Sequence, residues 1–131
     1  MGFSAFEVEI PEAGVKGARN CGGFFGGGQF AVYHLQVANG EKTWRLEKRY
    51  SDFEELHRQL MVKFWYMNLP ELPGKTLFHL DEGVVQRRRK DLKDFLSKIL
   101  AVACLSQSDE LWQFLTVEAG SVSMGGDGEI P

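Results

Sequence analysis

Two groups of basic residues have the types and positions that phosphate binding requires. Arg49 and Tyr50 stand where a strand pattern ends and a helix pattern begins. A helix N-terminus has free backbone N–H groups and a partial positive charge, and both favour an anion. A guanidinium can grip phosphate through two parallel hydrogen bonds, and the adjacent tyrosine offers a flat face for a ring. The pair therefore indicates a candidate phosphate site.

The second group is the basic run from Arg87 to Lys90, within a predicted helix. Most such runs form a solvated face. At about 100° per residue, however, Arg88 falls within about 40° of the centre of the apolar stripe of this helix. An isolated buried charge is very costly, so Arg88 must be paired, reach solvent or face a pocket. Its partner is either an internal glutamate or a bound anionic or hydroxylated ligand.

Residues that could support an enzyme or a metal site are scattered along the chain. The histidines His34, His57 and His79 fall on a strand, a helix and a loop, and none belongs to a HExxH or triad motif. The two cysteines have no zinc spacing, so we expect free thiols. We therefore predict no enzyme, no metal and no cofactor. The net charge of -3 argues against a nucleic-acid partner.

The elements that position these residues follow from the hydrophobic periodicity. Alternating apolar residues predict strands over 6–10, 30–38 and 43–50, the first ending at Pro11. Asn39-Gly40 predicts a hairpin turn. A chain of 131 residues with 44% hydrophobic residues is expected to fold as one domain. We place that domain at residues 1–118, followed by a polar tail or linker over 119–131.

Helical spacing begins after the third strand. Ser51 and Glu54 are predicted to form a capping box for a helix that ends near Trp65 or Tyr66. A proline-rich loop over residues 69–75 follows, then helices over about 81–103 and 106–115. The predicted fold class is therefore α+β. A three-stranded antiparallel sheet packs against three to four helices, with the proline-rich loop between the first two.

Three motifs in this order resemble those of phox homology (PX) domains, and the resemblance covers residues 3–117. They are similar to an Arg-Tyr-x-x-Phe signature, an apolar-Pro-x-x-Pro-x-Lys loop and an Arg-x-x-x-Leu-x-x-Phe-Leu helix. Here they read Lys48-Arg49-Tyr50-Ser51-Asp52-Phe53, Leu69-Pro70-Glu71-Leu72-Pro73-Gly74-Lys75 and Arg88-Arg89-Lys90-Asp91-Leu92-Lys93-Asp94-Phe95-Leu96.

The resemblance implies binding of phosphatidylinositol 3-phosphate, and recruitment of a cytoplasmic protein to the periphery of endosomal membranes. It implies that Arg49 grips the 3-phosphate and that Tyr50 supports the inositol ring from below. Lys75 would meet the 1-phosphate near the bilayer. Arg88 would hydrogen-bond the 4- and 5-hydroxyls, a task for which a planar fork of donors is better suited than lysine.

Apolar residues beside such a pocket could enter the bilayer, since one large apolar side chain contributes roughly 1.5–3 kcal/mol. Leu77 and Phe78 follow Lys75, and core packing is their alternative role. Phe24 and Phe25 lie in a glycine-rich loop predicted over residues 12–29. The alternative for this loop is that it folds back onto the sheet.

The competing hypothesis is a protein-interaction module with an unused lipid pocket. The segment from Pro70 to Pro73 is also a PxxP motif, which an SH3-like partner could bind. Rigid pocket architecture is the favoured role of this segment, because Lys75 follows it at the spacing of the PX family. Residues 45–98 contain 12 basic and 9 acidic residues in a chain that is acidic as a whole, so attraction to an anionic membrane is expected to be local. This basic segment includes every proposed headgroup contact.

Overall fold

The computed structural model describes residues 6–16, 30–74 and 82–116. Three strands form one antiparallel sheet in which they lie in chain order, and four helices follow in the described part of the chain. The α+β class predicted from the sequence is confirmed. The elements are β1 (Phe6–Lys16), β2 (Phe30–Asn39), β3 (Lys42–Arg49), α1 (Tyr50–Lys63), α2 (Glu82–Leu100), α3 (Ala103–Ser106) and α4 (Asp109–Thr116).

Strand β1 does not end at Pro11, and the prediction that a loop begins at residue 12 is wrong. The pairing with β2 shifts register between Glu9 and Glu12, which is a β-bulge. Because β1 is an edge strand, a bulge can accommodate a proline that lacks the N–H of a ladder bond. Arg89 of α2 stabilises this irregular point by donating from Nη1 to the carbonyl of Ile10 at 2.7 Å.

The predicted hairpin between β2 and β3 is confirmed, with its turn displaced by one residue. Asn39 still pairs with Lys42, so the two central residues are Gly40 and Glu41. Gly40 has φ 66° and is the one described residue with positive φ. Glycine at the first central position supplies the required left-handed conformation without steric cost.

One face of the sheet packs against the helices. The alternation predicted for β2 is confirmed, since Tyr33, Leu35 and Val37 are fully buried. Phe53 of α1 links the two layers, because its ring lies 6.3 Å from the ring of Tyr33 and 5.0 Å from that of Phe114. The opposite face of β3 carries the charged side chains of Arg45, Glu47 and Arg49.

Helix α1 begins earlier than the sequence indicates. Its N-cap is Arg49, and the carboxylate of Asp52 accepts a hydrogen bond from the Arg49 backbone N–H at 2.7 Å. The capping box predicted from Ser51 and Glu54 is therefore wrong by two residues. The chain passes from β3 into α1 without a connecting loop, which puts the arginine itself at the helix N-terminus.

The segment predicted as one helix over residues 106–115 forms parts of α3 and α4. Ser108 separates them, and its Oγ accepts a hydrogen bond from the backbone N–H of Leu111 at 3.2 Å. The same hydroxyl donates to the carbonyl of Leu105 at 2.8 Å. Serine is a favoured N-cap residue, so α4 begins immediately after it.

Candidate functional site

Arg49 lies at the junction of sheet and helix, with its side chain exposed. It is the last residue of β3 and the N-cap of α1, with φ -104° and ψ 166°. The first N–H groups of an α-helix have no partner within the helix. The junction therefore puts a guanidinium next to the positive end of α1. The centre of this guanidinium lies 3.9 Å from the ring centroid of Phe30.

Arg88 of α2 reaches the same region from the helical layer. Its side chain is buried, with 7% exposure, so the prediction that it aligns with the apolar stripe is confirmed. Nη2 donates to the carbonyl of Gly74 at 2.7 Å, and the guanidinium carbon lies 4.3 Å from the ring centroid of Tyr50. A cation over an aromatic face is attracted by the ring quadrupole. Arg88 and Tyr50 are thus brought together, and Arg49 directly precedes Tyr50 in the chain.

Tyr33 lies next to this cluster, although its sequence pattern indicated only a core residue. Its side chain is fully buried. Burial raises the pKa of Tyr33, while the nearby positive charge of Arg88 acts in the opposite direction. The pKa of Tyr50 is also raised by burial and opposed by Arg88. The site therefore combines cationic donors with neutral phenol groups.

The proline-rich segment is held against α1 by its carbonyl groups. The hydroxyl of Tyr50 donates to the carbonyl of Pro73. His57 Nε2 donates to the carbonyl of Pro70 at 3.2 Å. The side chains of Leu69 and Leu72 pack against the core. These contacts fix the path of the segment from the far end of α1 back to the site.

Lys75 follows Gly74 in the sequence and lies outside the described residues, so its predicted role stays a prediction. The four membrane-insertion candidates, Phe24, Phe25, Leu77 and Phe78, also lie outside them. Gly74, the residue directly before Lys75, accepts the hydrogen bond from Arg88 and is the last described residue of this segment.

Lys48, the residue before Arg49, points away from the candidate site. Successive side chains of a strand alternate between faces, and Lys48 is on the inward face of β3 with 4% exposure. Its Nζ lies 4.7 Å from the ring centroid of Phe114. Of the two adjacent basic residues in the motif, Lys48 thus lies in the core and Arg49 lies at the solvent-facing site.

In the described part of the chain, no group of three or more His, Cys, Asp or Glu residues is placed to hold a metal ion. Of the two cysteines, Cys104 is a free, exposed thiol, and Cys21 lies outside the described residues. In the described ranges no helix is both long enough and apolar enough to cross a bilayer.

A comparison with protein families supplies the decisive observation. The model of the PX domain matches residues 36–118, a range that includes β3, α1, the proline-rich segment and α2. The chain belongs to the PX-domain family. The resemblance read from the sequence motifs is thereby confirmed. PX domains are phosphoinositide-binding modules of trafficking proteins, and this membership supports the same class of function and a peripheral association with membranes.

Individual relatives agree with the PX assignment. Sorting nexin-13 of Homo sapiens is 31% identical over 109 residues, which make up 76% of this chain and 11% of that protein. A PX domain-containing protein kinase-like protein of Rattus norvegicus is 33% identical over 86 residues, covering 63% and 14% respectively. The chain thus matches a small part of each relative. PX domains and sorting nexins are generally non-enzymatic, although this second relative is kinase-like.

Solved structures share the architecture. The X-ray structure of a designed CISK-PX domain has a TM-score of 0.70 and 26% sequence identity to this chain. The match covers 82% of this chain and 96% of that one. The three-stranded sheet with its helical layer is therefore the fold of a PX domain.

Proposed function

We propose that this PX domain binds phosphatidylinositol 3-phosphate through Arg49, Tyr50, Lys75 and Arg88, and recruits the protein that contains it to endosomal membranes. One observation supports the proposal above all others. Arg49 combines an exposed guanidinium with the N-terminus of α1 at one point of the surface. Both features attract a phosphate group, and they act on it from adjacent positions.

The charge of Arg49 is available to an anion. Among the described residues, no carboxylate forms an ion pair with its guanidinium. Glu47, two residues earlier on the same face, pairs with Lys16 at 3.4 Å and lies 3.6 Å from His34. Asp52 engages the backbone N–H of Arg49. The carboxylates nearest in sequence thus have other partners.

Arg88 is suited to recognising hydroxyl groups. A guanidinium presents five N–H donors in a fixed plane, and Tyr50 and the Gly74 carbonyl hold this plane in place. Donors that are already positioned lose little freedom when a ligand arrives. We infer that Arg88 donates to the 4- and 5-hydroxyls of the inositol ring. A phosphate at either position would be too large for the same contact.

The contacts of the proline-rich segment favour a structural role over the alternative of binding a protein partner. The carbonyls of Pro70 and Pro73 are bonded to α1, and Leu69 and Leu72 pack inward. An SH3-like partner requires an accessible polyproline II ridge. The segment instead serves to connect the end of α1 with the lipid site.

A panel of vesicles tests the proposal. Each vesicle contains phosphatidylcholine, phosphatidylserine and a single phosphoinositide, and sedimentation measures binding of the whole chain. We expect the strongest binding to phosphatidylinositol 3-phosphate. Losing two charge-assisted hydrogen bonds in Arg49→Ala should reduce the affinity on the order of 100-fold. Arg45→Ala is the matched control, because Arg45 is exposed on the same face of β3 and bonds to Gln36.

Arg88→Ala tests the selectivity for one phosphoinositide over another. Arg87→Ala is the control, because Arg87 is the neighbouring arginine of the same helix and is exposed. We expect Arg88→Ala to weaken binding and to narrow the difference between phosphatidylinositol 3-phosphate and lipids phosphorylated at the 4 or 5 position. Equal binding of all vesicles by the wild type would contradict the lipid preference. Unchanged affinity and selectivity in Arg88→Ala would contradict the role of that residue.

Recruitment is tested in cells with a fluorescent fusion of the chain. We expect puncta that coincide with an endosomal marker and that disperse when phosphatidylinositol 3-kinase is inhibited. The Arg49→Ala fusion should be diffuse, and the Arg45→Ala fusion should form puncta. A wild-type fusion that stays diffuse would contradict endosomal recruitment by this domain alone.

A further inference from the structure

Phe30 is a neighbour of Arg49 because of the register of the sheet. Arg49 is directly opposite Val32 in the antiparallel pair of β2 and β3. Phe30 precedes Val32 by two residues, so its side chain is on the same face and on the diagonal from Arg49. Diagonal neighbours of this kind are within reach of aromatic and long side chains. The two residues do meet, with the guanidinium carbon 3.9 Å from the ring centroid.

This contact orients the arginine without neutralising it. A carboxylate partner would hold the guanidinium equally well, but it would cancel the charge and compete with an incoming phosphate. An aromatic ring attracts the cation through its quadrupole and covers only one flat face of the guanidinium. The N–H groups at the guanidinium edge point outward in that plane and stay available as donors. Phe30 itself is half-buried.

We propose that Phe30 is a positioning residue of the phosphate site, which holds the Arg49 guanidinium in a binding-ready orientation. The inference rests on the proposed function, since it assumes that Arg49 binds the 3-phosphate. A long arginine side chain loses rotamer freedom when it is immobilised by a ligand. The ring reduces this loss because it restricts the guanidinium before the lipid arrives. No headgroup contact by Phe30 itself is required.

Binding of water-soluble dibutanoyl phosphatidylinositol 3-phosphate tests the proposal by calorimetry. Without a bilayer, any insertion of an apolar side chain into lipid makes no contribution. We expect Phe30→Leu, which keeps an apolar side chain, to weaken binding by about 3- to 30-fold. Phe30→Tyr keeps an aromatic face and should bind within about twofold of the wild type. Thermal unfolding of each variant reports whether the fold is retained.

A fluorinated ring separates cation binding from packing. Pentafluorophenylalanine at position 30 has nearly the shape of phenylalanine, but fluorine withdraws electron density from the ring face, which the cation–π attraction requires. We expect it to weaken binding to the extent of Phe30→Leu while the melting temperature stays near that of the wild type. Wild-type affinity with the fluorinated ring would overturn the positioning role.

Arg49→Ala, measured in the same assay, distinguishes failure of this inference from failure of the proposed function. If Arg49→Ala loses binding while Phe30→Leu and the fluorinated ring bind as the wild type does, the positioning role is overturned and the phosphate site stands. If Arg49→Ala binds as the wild type does, the phosphate site and the positioning role both fail. If Arg49→Ala, Phe30→Leu and the fluorinated ring are all weakened while Phe30→Tyr is not, the inference is supported.

Discussion

The hydroxyl of Tyr50 is predicted to fasten the proline-rich segment to the site, and Tyr50→Phe tests this. Among the described residues, the substitution removes the hydrogen bond that the hydroxyl donates to the carbonyl of Pro73. It keeps the ring that faces Arg88 at 4.3 Å. Packing and the cation–π contact therefore stay nearly constant, and the change isolates the link between α1 and the segment.

The expected size of the effect follows from the burial of the two groups. A neutral hydrogen bond contributes about 1 kcal/mol net, and an unsatisfied buried carbonyl costs about 1–3 kcal/mol. Pro73 is half-buried, so water can replace part of the lost bond and the lower figure applies. We expect the free energy of unfolding to fall by about 1 kcal/mol. For a domain of this size the melting temperature should fall by roughly 3–6 °C.

Thermal unfolding of the full chain measures this effect. Tyr66→Phe is the matched control, because Tyr66 is exposed and no hydrogen bond of its hydroxyl is described. Its melting temperature should equal that of the wild type. The affinity of Tyr50→Phe for phosphatidylinositol 3-phosphate should fall by at most about fivefold, the equivalent of 1 kcal/mol. Equal melting temperatures for the two variants would refute the fastening role of the Tyr50 hydroxyl.

Three further predictions concern residues around the site. Arg89→Ala removes the charged hydrogen bond to the Ile10 carbonyl at the β1 bulge, and it should lower the free energy of unfolding by about 1.5–3 kcal/mol in denaturant titration. Lys48→Met should leave vesicle binding within about twofold of the wild type, because Lys48 contacts Phe114 inside the fold and lies on the face of β3 opposite to Arg49. Burial raises the pKa of Tyr33 above 10.0, because the buried site favours the neutral phenol. The stability that the neutral phenol provides is fully present below about pH 10, and it is lost as pH rises through the folded-state pKa. Tyr33→Phe should therefore reduce the alkaline loss of stability in melting curves recorded at increasing pH.

Each of these predictions has a contrary result. For Arg89→Ala it is a stability equal to that of Arg87→Ala, which removes an exposed arginine from the same helix. For Lys48→Met it is a loss of vesicle binding comparable to that of Arg49→Ala, with the fold retained. For Tyr33→Phe it is an alkaline decline as steep as that of the wild type.

Much of the fold was predictable because its strands bury one face. The alternation of Tyr33, Leu35 and Val37 fixed β2, and all three are fully buried in the structure. The end of β1 was not predictable in this way. Pro11 is a strong local signal for termination, but an edge strand tolerates proline at a bulge. The bulge depends on pairing with β2 and on Arg89, and both are distant in sequence.

The same distinction holds for the site. Helical spacing was sufficient to predict that Arg88 aligns with the apolar stripe. The partners described for it, Tyr50 and the Gly74 carbonyl, come from separate segments, and spacing within one helix contains no information about them. Phe30 was likewise missed. The signal that could have identified it is the hairpin register, which places Phe30 diagonally from Arg49 once the turn is known.

The central claim is that a phosphate binds between the Arg49 guanidinium and the first turn of α1. Titration of the ¹⁵N-labelled chain with dibutanoyl phosphatidylinositol 3-phosphate, followed by NMR, observes these groups directly. We predict saturable shifts of the Arg49 Nε–Hε signal and of the backbone amides of Tyr50 and Ser51, with Arg45 and Arg58 unchanged. Saturable binding that leaves the Arg49 side chain and these amides unshifted would contradict the claim.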